Sequence, residues 1–374
     1  MPNSLVLSEK WLVRLRERQR DAVEMHALRE REAAPWRQVG VASWELTRNA
    51  GSAALEDAAF CGAPRTIDLA GHVLTLTRSL ILSLCALEGD TGARKPSVRG
   101  EDALNIRNGT LVLQSGAHLR VHDFARVDLK DLTICLGEHW SGSAESAADS
   151  LVDVRGCGRT AFVRVHVVGA ALSAAVPSPV SLVSCRGRSA GTGRTRSCGM
   201  SMLGCRLSGL QGPGEVCALT LQSLRCVRIC GLEVDSLTGA RVVALGLDGC
   251  SNCAVDSLSL TGLRAASEVV AGDFRGRCSN CAIFDPRVSL PGGATASWTC
   301  SEDSHARIWT RSRDGSVSHA TDVRSDAASP ERGKRLSSEP RLPLRQAAAS
   351  PCRTCGRSAS RSLSRSAPSR WGRG

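Results

Sequence analysis

From about Thr66 to Leu290, apolar residues fall at alternate positions in short runs, each followed by a brief polar or glycine break and a second alternating run. The pattern recurs with its spacing intact in Arg126-Val-Asp-Leu-Lys-Asp-Leu-Thr-Ile134, Cys226-Val-Arg-Ile-Cys-Gly-Leu-Glu-Val234, Asn252-Cys-Ala-Val-Asp-Ser-Leu-Ser-Leu260 and Asn280-Cys-Ala-Ile-Phe-Asp-Pro-Arg-Val-Ser-Leu290. Alternation of period two is the mark of a strand with one buried face. Each phrase therefore predicts strand, bend, strand. The equivalent residues Ile229, Val255 and Ile283 lie 26 and 28 positions apart, a period at which one supersecondary unit buries its apolar face only against its neighbours. Thr66-Ile-Asp-Leu-Ala-Gly-His-Val-Leu-Thr-Leu76 and Leu104-Asn-Ile-Arg-Asn-Gly-Thr-Leu-Val-Leu113 repeat the layout, with Asn108-Gly109 at the corner of the second.

Further short strands are expected at Leu119 to His122, Leu151 to Val154, Phe162 to Val168, Leu182 to Cys185, Met202 to Leu207, Ala218 to Leu221 and Val242 to Leu247. The polar stretches 137–150 and 186–198 are too long for tight corners and read as loops leaving the stack, where such a protein carries its function. Residues 8–37 differ. Ser8 is placed as an N-cap, Pro35 ends the run, and Trp11, Leu12, Leu15, Ala22, Met25 and Leu28 form a narrow apolar stripe. This predicts a charged helix that closes the first open rung, with a partner-binding coiled segment as the alternative.

Periodicity fades near Cys300, and the last stretch is basic. Residues 329–374 hold eleven Lys or Arg against Glu331 and Glu339, which supplies +9 of the formal +12. Serine and arginine interleave from Arg357 to Arg370, a composition too poor in apolar residues to offset the entropy of ordering. The expected organisation is therefore a charged N-terminal helix and cap over 1–59, a β-solenoid over 60–299 and a disordered Ser/Arg-rich tail over 300–374. The tail can bind polyanions nonspecifically, carry phosphorylation or act as a nuclear address.

Composition limits the chemistry. Aromatic residues make up 3% of the chain and tyrosine is absent, so the core must be built from Val, Leu, Ile, Ala and Cys, which suits a narrow interior between strands. No apolar run approaches the roughly 20 residues of a membrane-spanning helix, and Met1-Pro-Asn-Ser-Leu-Val-Leu-Ser-Glu-Lys10 lacks the features of a secretory signal. The expectation is an intracellular protein, cytoplasmic or nuclear, with no membrane partner.

Seventeen cysteines, an odd number, argue against a fully paired disulfide framework. Cys135, Cys205, Cys226 and Cys230 stand where an apolar residue would serve, so buried reduced thiols are the preferred reading. The alternative is zinc at the two C-x-x-C pairs, Cys250 with Cys253 and Cys278 with Cys281. Both pairs occupy one phase of the repeat. That phase would stack Asn252 over Asn280 and Cys253 over Cys281 as ladders, without metal.

The succession Ile67-Asp-Leu-Ala-Gly71, Val98-Arg-Gly100, Ile106-Arg-Asn-Gly-Thr-Leu111 and Val127-Asp-Leu-Lys-Asp-Leu-Thr-Ile134 resembles the opening rungs of right-handed parallel β-helix proteins of the pectin-lyase-like superfamily, over about residues 60 to 290. The resemblance implies an all-β, right-handed parallel β-helix and a membership that spans polysaccharide lyases, glycoside hydrolases and phage tailspikes. The catalytic motifs of its polygalacturonase-like enzymes, Asn-Thr-Asp, Asp-Asp and Arg-Ile-Lys, are absent. Gly71-His72-Val73 lacks the second glycine of the fourth, and the lyase pattern Arg-x-Pro-x-x-Arg is missing.

Residue chemistry agrees. Glycoside cleavage by the common route needs two carboxyl groups about 5 to 10 Å apart. Aligning the repeated phrases puts Asp256 beside Cys230 and Phe284, and Asp131 several rungs from Asp285 in the same column, so no carboxylate pair emerges. His118 and His122 read as exposed strand histidines and not as a helical metal pair. No catalytic, cofactor-binding or metal-ligating residue is assigned.

Asp248-Gly-Cys-Ser-Asn-Cys-Ala-Val255 and Gly276-Arg-Cys-Ser-Asn-Cys-Ala-Ile283 also resemble rungs of tubulin-folding cofactor C and cyclase-associated proteins. Gln222-Ser-Leu-Arg225 is similar to the Gln-x-x-Arg of the former, and Arg225 itself reads as an exposed rung arginine. The expected function is a non-catalytic β-helix scaffold or binding protein, with a polysaccharide-active enzyme of the same fold as the alternative and a cytoskeletal binding domain as the second. Its partners would be a carbohydrate or protein on the solenoid face and polyanions at the tail.

Overall fold

The structure, a computed structural model, describes residues 4–7, 35–40, 42–52, 65–83, 103–114, 116–137, 149–172, 179–187, 198–311 and 317–323. The chain divides into Met1–Ala328 and Ser329–Gly374, and every described residue lies in the first unit. Among the described residues there is no α-helix. The strands form two sheets, of nine and sixteen strands, here A and B.

The chain alternates between the sheets. Leu119–His122, Asp149–Arg155, Val180–Arg186, Glu215–Gln222, Thr238–Asp248 and Arg264–Arg275 are consecutive neighbours in A. The strands between them in sequence, such as Arg126–Leu136, Arg159–Val168, Gly199–Ser208 and Arg225–Asp235, are consecutive neighbours in B. Pairing is parallel throughout this region. Parallel neighbours need a crossover connection, and here each sheet serves as the crossover for the other.

Register follows the sequence repeat. Ile229 stands against Val255, Val255 against Ile283 and Ile283 against Ile308. In the other direction the column runs through Met202, Phe162, Leu129, Ile106 and Ile67. All nine are buried in one core. A second inward column joins Leu74, Leu111, Ile134, Val167, Leu207, Val234 and Leu260, each at most 1% exposed. It ends at Val288, which is 40% exposed because no described strand follows it there.

The two columns of sheet B are separated by a bend of one residue per rung. Asn108, Asp131, Arg164, Gly204, Gly231, Ser257 and Asp285 all adopt the left-handed conformation, with φ between 49° and 65°. Asn, Asp and Gly reach this region at little cost, whereas Arg164 is held there and donates to both Asp131 carboxylate oxygens, at 2.5 and 2.8 Å. Leu104 to Leu113 is thus one bent strand, Ala103–Leu113, and not two strands around a turn.

Two expectations need correction, while the expected capping helix falls on residues 8–34, which lie outside the described residues. Downstream of Pro35 the N-terminal region is extended, with Trp36–Gly40 antiparallel to Ser43–Leu46 at the head of sheet B. The ordered region also passes the expected boundary at 300. Ala306–Arg311 pairs in parallel with Ser279–Phe284, and Val317–Val323 pairs antiparallel on its far side. The path of sheet B therefore begins and ends in an antiparallel pair, a change of pairing that breaks the parallel template an open edge would offer to another chain. Finally, Cys230 is exposed. Ile229 points inward, so its neighbour points outward, beside Leu203 and Asp256.

Candidate functional site

The strands of sheet A repeat a phrase of their own: Glu215-Val-Cys-Ala-Leu-Thr-Leu221, Arg241-Val-Val-Ala-Leu-Gly-Leu247 and Glu268-Val-Val-Ala-Gly-Asp-Phe274. Register stacks Glu215 against Arg241 and Arg241 against Glu268. Val216, Leu221, Val242 and Leu247 lie in the main core. Cys217, Val243 and Val270 form a separate small buried cluster beside the charged residues.

Arg241 is the hub. Its Nη1 donates to Glu215 Oε2 at 3.0 Å, its Nη2 to Asp273 Oδ2 at 3.2 Å and its Nε to Glu268 Oε2 at 3.4 Å. Three carboxylates thus share one guanidinium across three adjacent rungs. Ser297 Oγ donates to Glu268 Oε1 at 2.6 Å, and Thr299 Oγ1 to Asp273 Oδ1 at 2.8 Å. Asp273 also pairs with Arg275. Burial alone would raise the Asp273 carboxyl, but its hydrogen bonds from Arg275 and Thr299 hold it below the ordinary carboxylate range. Burial pushes the neighbouring Cys217 thiol up to about 12, so it is no nucleophile at neutral pH.

Asp273 belongs to a column that runs Asp153, Ser184, Thr220, Gly246, Asp273, Thr299. At roughly 4.8 Å per strand, the two aspartates are about 19 Å apart along the stack. Both are buried, and each pairs with the arginine two residues on, Asp153 with Arg155 and Asp273 with Arg275. Between them Ser184, Thr220 and Gly246 are partly exposed, and Thr220 shares a hydrogen bond of 2.9 Å with Ser181. The result is a polar strip floored by small residues, with a buried carboxylate toward each end.

This cluster overturns the expectation that no carboxylates gather. The repeated phrase of sheet B gives its own register correctly, with Asp256 between Cys230 and Phe284 and with Asp131 and Asp285 in one bend column. The acids lie in sheet A. Their signal was a charged residue before Val-x-Ala at positions 215, 241 and 268.

The other singled-out residues fall as follows. His118 is buried, with Nδ1 2.6 Å from the Ser150 carbonyl oxygen, which corrects the expected exposed histidine. His122 is half-buried, 4.0 Å from Asp153; burial lowers its pKa, and the Asp153 charge only partly offsets this. Arg225 is exposed at the start of its strand. Residues 188–197 of the basic loop, and the tail from 324, lie outside the described residues.

Cys253 stands directly against Cys281, and Asn280 Nδ2 donates to Asn252 Oδ1 at 2.6 Å. Cys250, Cys253, Cys278 and Cys281 are each at most 3% exposed. Cys253 donates its thiol hydrogen bonds to Cys250 and Cys281, and these bonds together with burial raise its pKa. The thirteen described cysteines are free. Among the described residues no group of three or more His, Cys, Asp or Glu is arranged to hold a metal ion, and no helix is long and apolar enough to cross a membrane.

Comparison with known protein families, curated proteins and solved structures finds no match to this chain.

Proposed function

We propose that this chain is a right-handed parallel β-helix of the pectin-lyase-like kind that works as a binding protein, and that it takes an extended, hydroxyl-rich ligand such as a carbohydrate chain along the outer face of sheet A. The parallel alternating sheets and the resemblance of the opening rungs support the architecture. The Arg241 cluster carries the functional reading. It offers ionised acceptors, guanidinium donors and hydroxyls in a row, the groups that exchange hydrogen bonds with a sugar.

The same cluster weighs against hydrolysis. The common glycosidase route needs one carboxyl that carries a proton to the leaving oxygen. Asp273, the most buried of the three acids, is held in the opposite direction by Arg275 and Thr299. All three carboxylates are already engaged by Arg241.

The test is a panel of neutral and acidic oligosaccharides, with binding and the release of new reducing ends measured on the same samples. Binding without release is expected, and Arg241→Met should weaken it about tenfold or more, the scale of a lost charge-assisted hydrogen bond. Release of product that disappears in Glu215→Gln or Glu268→Gln would make the protein an enzyme instead. Absence of binding to every member would overturn the choice of ligand.

A further inference from the structure

The corner by which the chain passes from sheet A to sheet B carries arginine on rung after rung. On the A side Arg155 stands against Arg186, and on the B side Arg126 stands against Arg159. Only Gly156, Cys157 and Gly158 separate Arg155 from Arg159. The corners stack through their backbones. Arg159 N donates to Ala125 O at 3.0 Å, Gly199 N to Gly158 O at 3.0 Å, and Arg225 N to Cys198 O at 2.8 Å. These bonds set Arg225 on the same ridge.

The close approach is enforced by glycine. A Cβ on Gly158 would come within 2.7 Å of Ala125 O, and one on Gly187, which follows Arg186, within 2.1 Å of Ser223 O.

The charges on this ridge are poorly matched. Arg126 and Arg155 pair with Asp128 and Asp153, which are 8% and 2% exposed, so the acids sit beneath while the guanidinium groups reach solvent. Arg159, Arg186 and Arg225 are exposed and make no ion pair with a described residue. Surface arginines in this protein are often paired, as Arg164, Arg206 and Arg307 are. Strand pairing holds Arg126 next to Arg159 and Arg155 next to Arg186, each pair roughly 4.8 Å apart along the stack, and sets Arg225 two rungs beyond Arg159, past Gly199. Such an array meets a row of anions without first having to be ordered.

We propose that this arginine ridge, formed by Arg126, Arg155, Arg159, Arg186 and Arg225, is a docking site for the phosphodiester backbone of nucleic acid, adjoining the Asp153 end of the polar strip through Arg155 and made of residues other than those of the basic tail. Arginine's planar fork matches phosphate oxygens in pairs, and the ridge contains no lysine. Phe124, the aromatic residue within these corners, is buried at 4% exposure, so no ring is offered for base stacking. Recognition is therefore of backbone charge and independent of sequence.

The experiment uses the full chain and a fluorescein-labelled mixed-sequence duplex DNA, titrated by fluorescence anisotropy over a series of salt concentrations. The variant Arg159→Glu/Arg186→Glu/Arg225→Glu should lose about tenfold or more in affinity at low salt, and the slope of log affinity on log salt should fall by about two to three. Its far-ultraviolet circular dichroism should match wild type, since all three side chains are exposed. A second full-length variant, Arg357→Gln/Arg361→Gln/Arg365→Gln/Arg370→Gln, should keep salt-sensitive binding. Unchanged affinity and slope in the ridge variant would overturn the proposal, as would loss of all binding in the tail variant. Ridge-dependent capture of heparin without capture of DNA would overturn the assignment to phosphodiester.

Discussion

Phe162 and Phe284 allow one substitution to be made on the two faces of the same sheet. Phe162 is 0% exposed and stands between Leu129 and Met202 in the inward column, where its ring fills the space between the sheets. Phe162→Ala removes that ring from a site with close neighbours above and below, so both the transfer and the cavity contributions apply, at about 3 to 5 kcal/mol. Phe284 is 38% exposed on the outer face and stacks on Trp309, with ring centroids 6.3 Å apart and planes 15° from parallel. Phe284→Ala loses that stacking and a partial burial, about 1 kcal/mol. The assay is urea unfolding followed by far-ultraviolet circular dichroism. A total stability of about 5 to 15 kcal/mol is ordinary for a folded domain. The inner substitution should therefore shift the midpoint by a large fraction, and the outer one slightly. Equal shifts would refute the assignment of faces, since period two allows only one of these residues to be inside.

The bend column predicts that Gly231→Val, at φ 65°, costs about 1 to 2 kcal/mol, while Gly231→Asn, a residue that visits this region readily, costs clearly less; thermal unfolding of the two variants reads the difference. Asn280→Ala should cost about 1 to 3 kcal/mol, one ladder hydrogen bond plus an alanine held at φ 52°, measured by the same unfolding. His122 has its pKa lowered mainly by burial. Its contribution is complete above the ordinary histidine pKa and is lost as pH falls through that value toward the lower folded one, so stability should drop across that window in wild type and drop less in His122→Gln. Native mass spectrometry of protein purified without chelator should find zinc below about one per chain, because the stacked thiols of Cys250, Cys253, Cys278 and Cys281 are satisfied by packing.

Much of the fold is legible in the sequence because the period-two phrase of sheet B does two jobs at once. It fixes which residues face inward, and its recurrence fixes which rungs adjoin, so the register of Ile229, Val255 and Ile283 and the stacking of Asn252 on Asn280 both follow from spacing. The bends were partly legible. Gly231 and Asn108 advertise a left-handed residue, but Arg164 does not, and only its alignment with Asp131 places it in the same conformation.

The candidate site was harder to see because it belongs to the other sheet. Glu215, Arg241 and Glu268 occur singly in sequence, and their chemistry exists only when the strands are stacked. Asp273 lies five residues beyond Glu268 yet reaches the same guanidinium. The histidines were misjudged for a related reason: the spacing of His118 and His122 describes a strand face, but His118 precedes that strand and turns inward to Ser150.

The most direct test of the binding account is hydrogen–deuterium exchange of the full chain with and without an oligosaccharide found in the panel. The account predicts slower exchange in peptides covering Glu215–Gln222, Thr238–Asp248 and Arg264–Arg275, with the protection lost in Arg241→Met. Protection confined to the strands of sheet B, or protection that survives Arg241→Met unchanged, would contradict it.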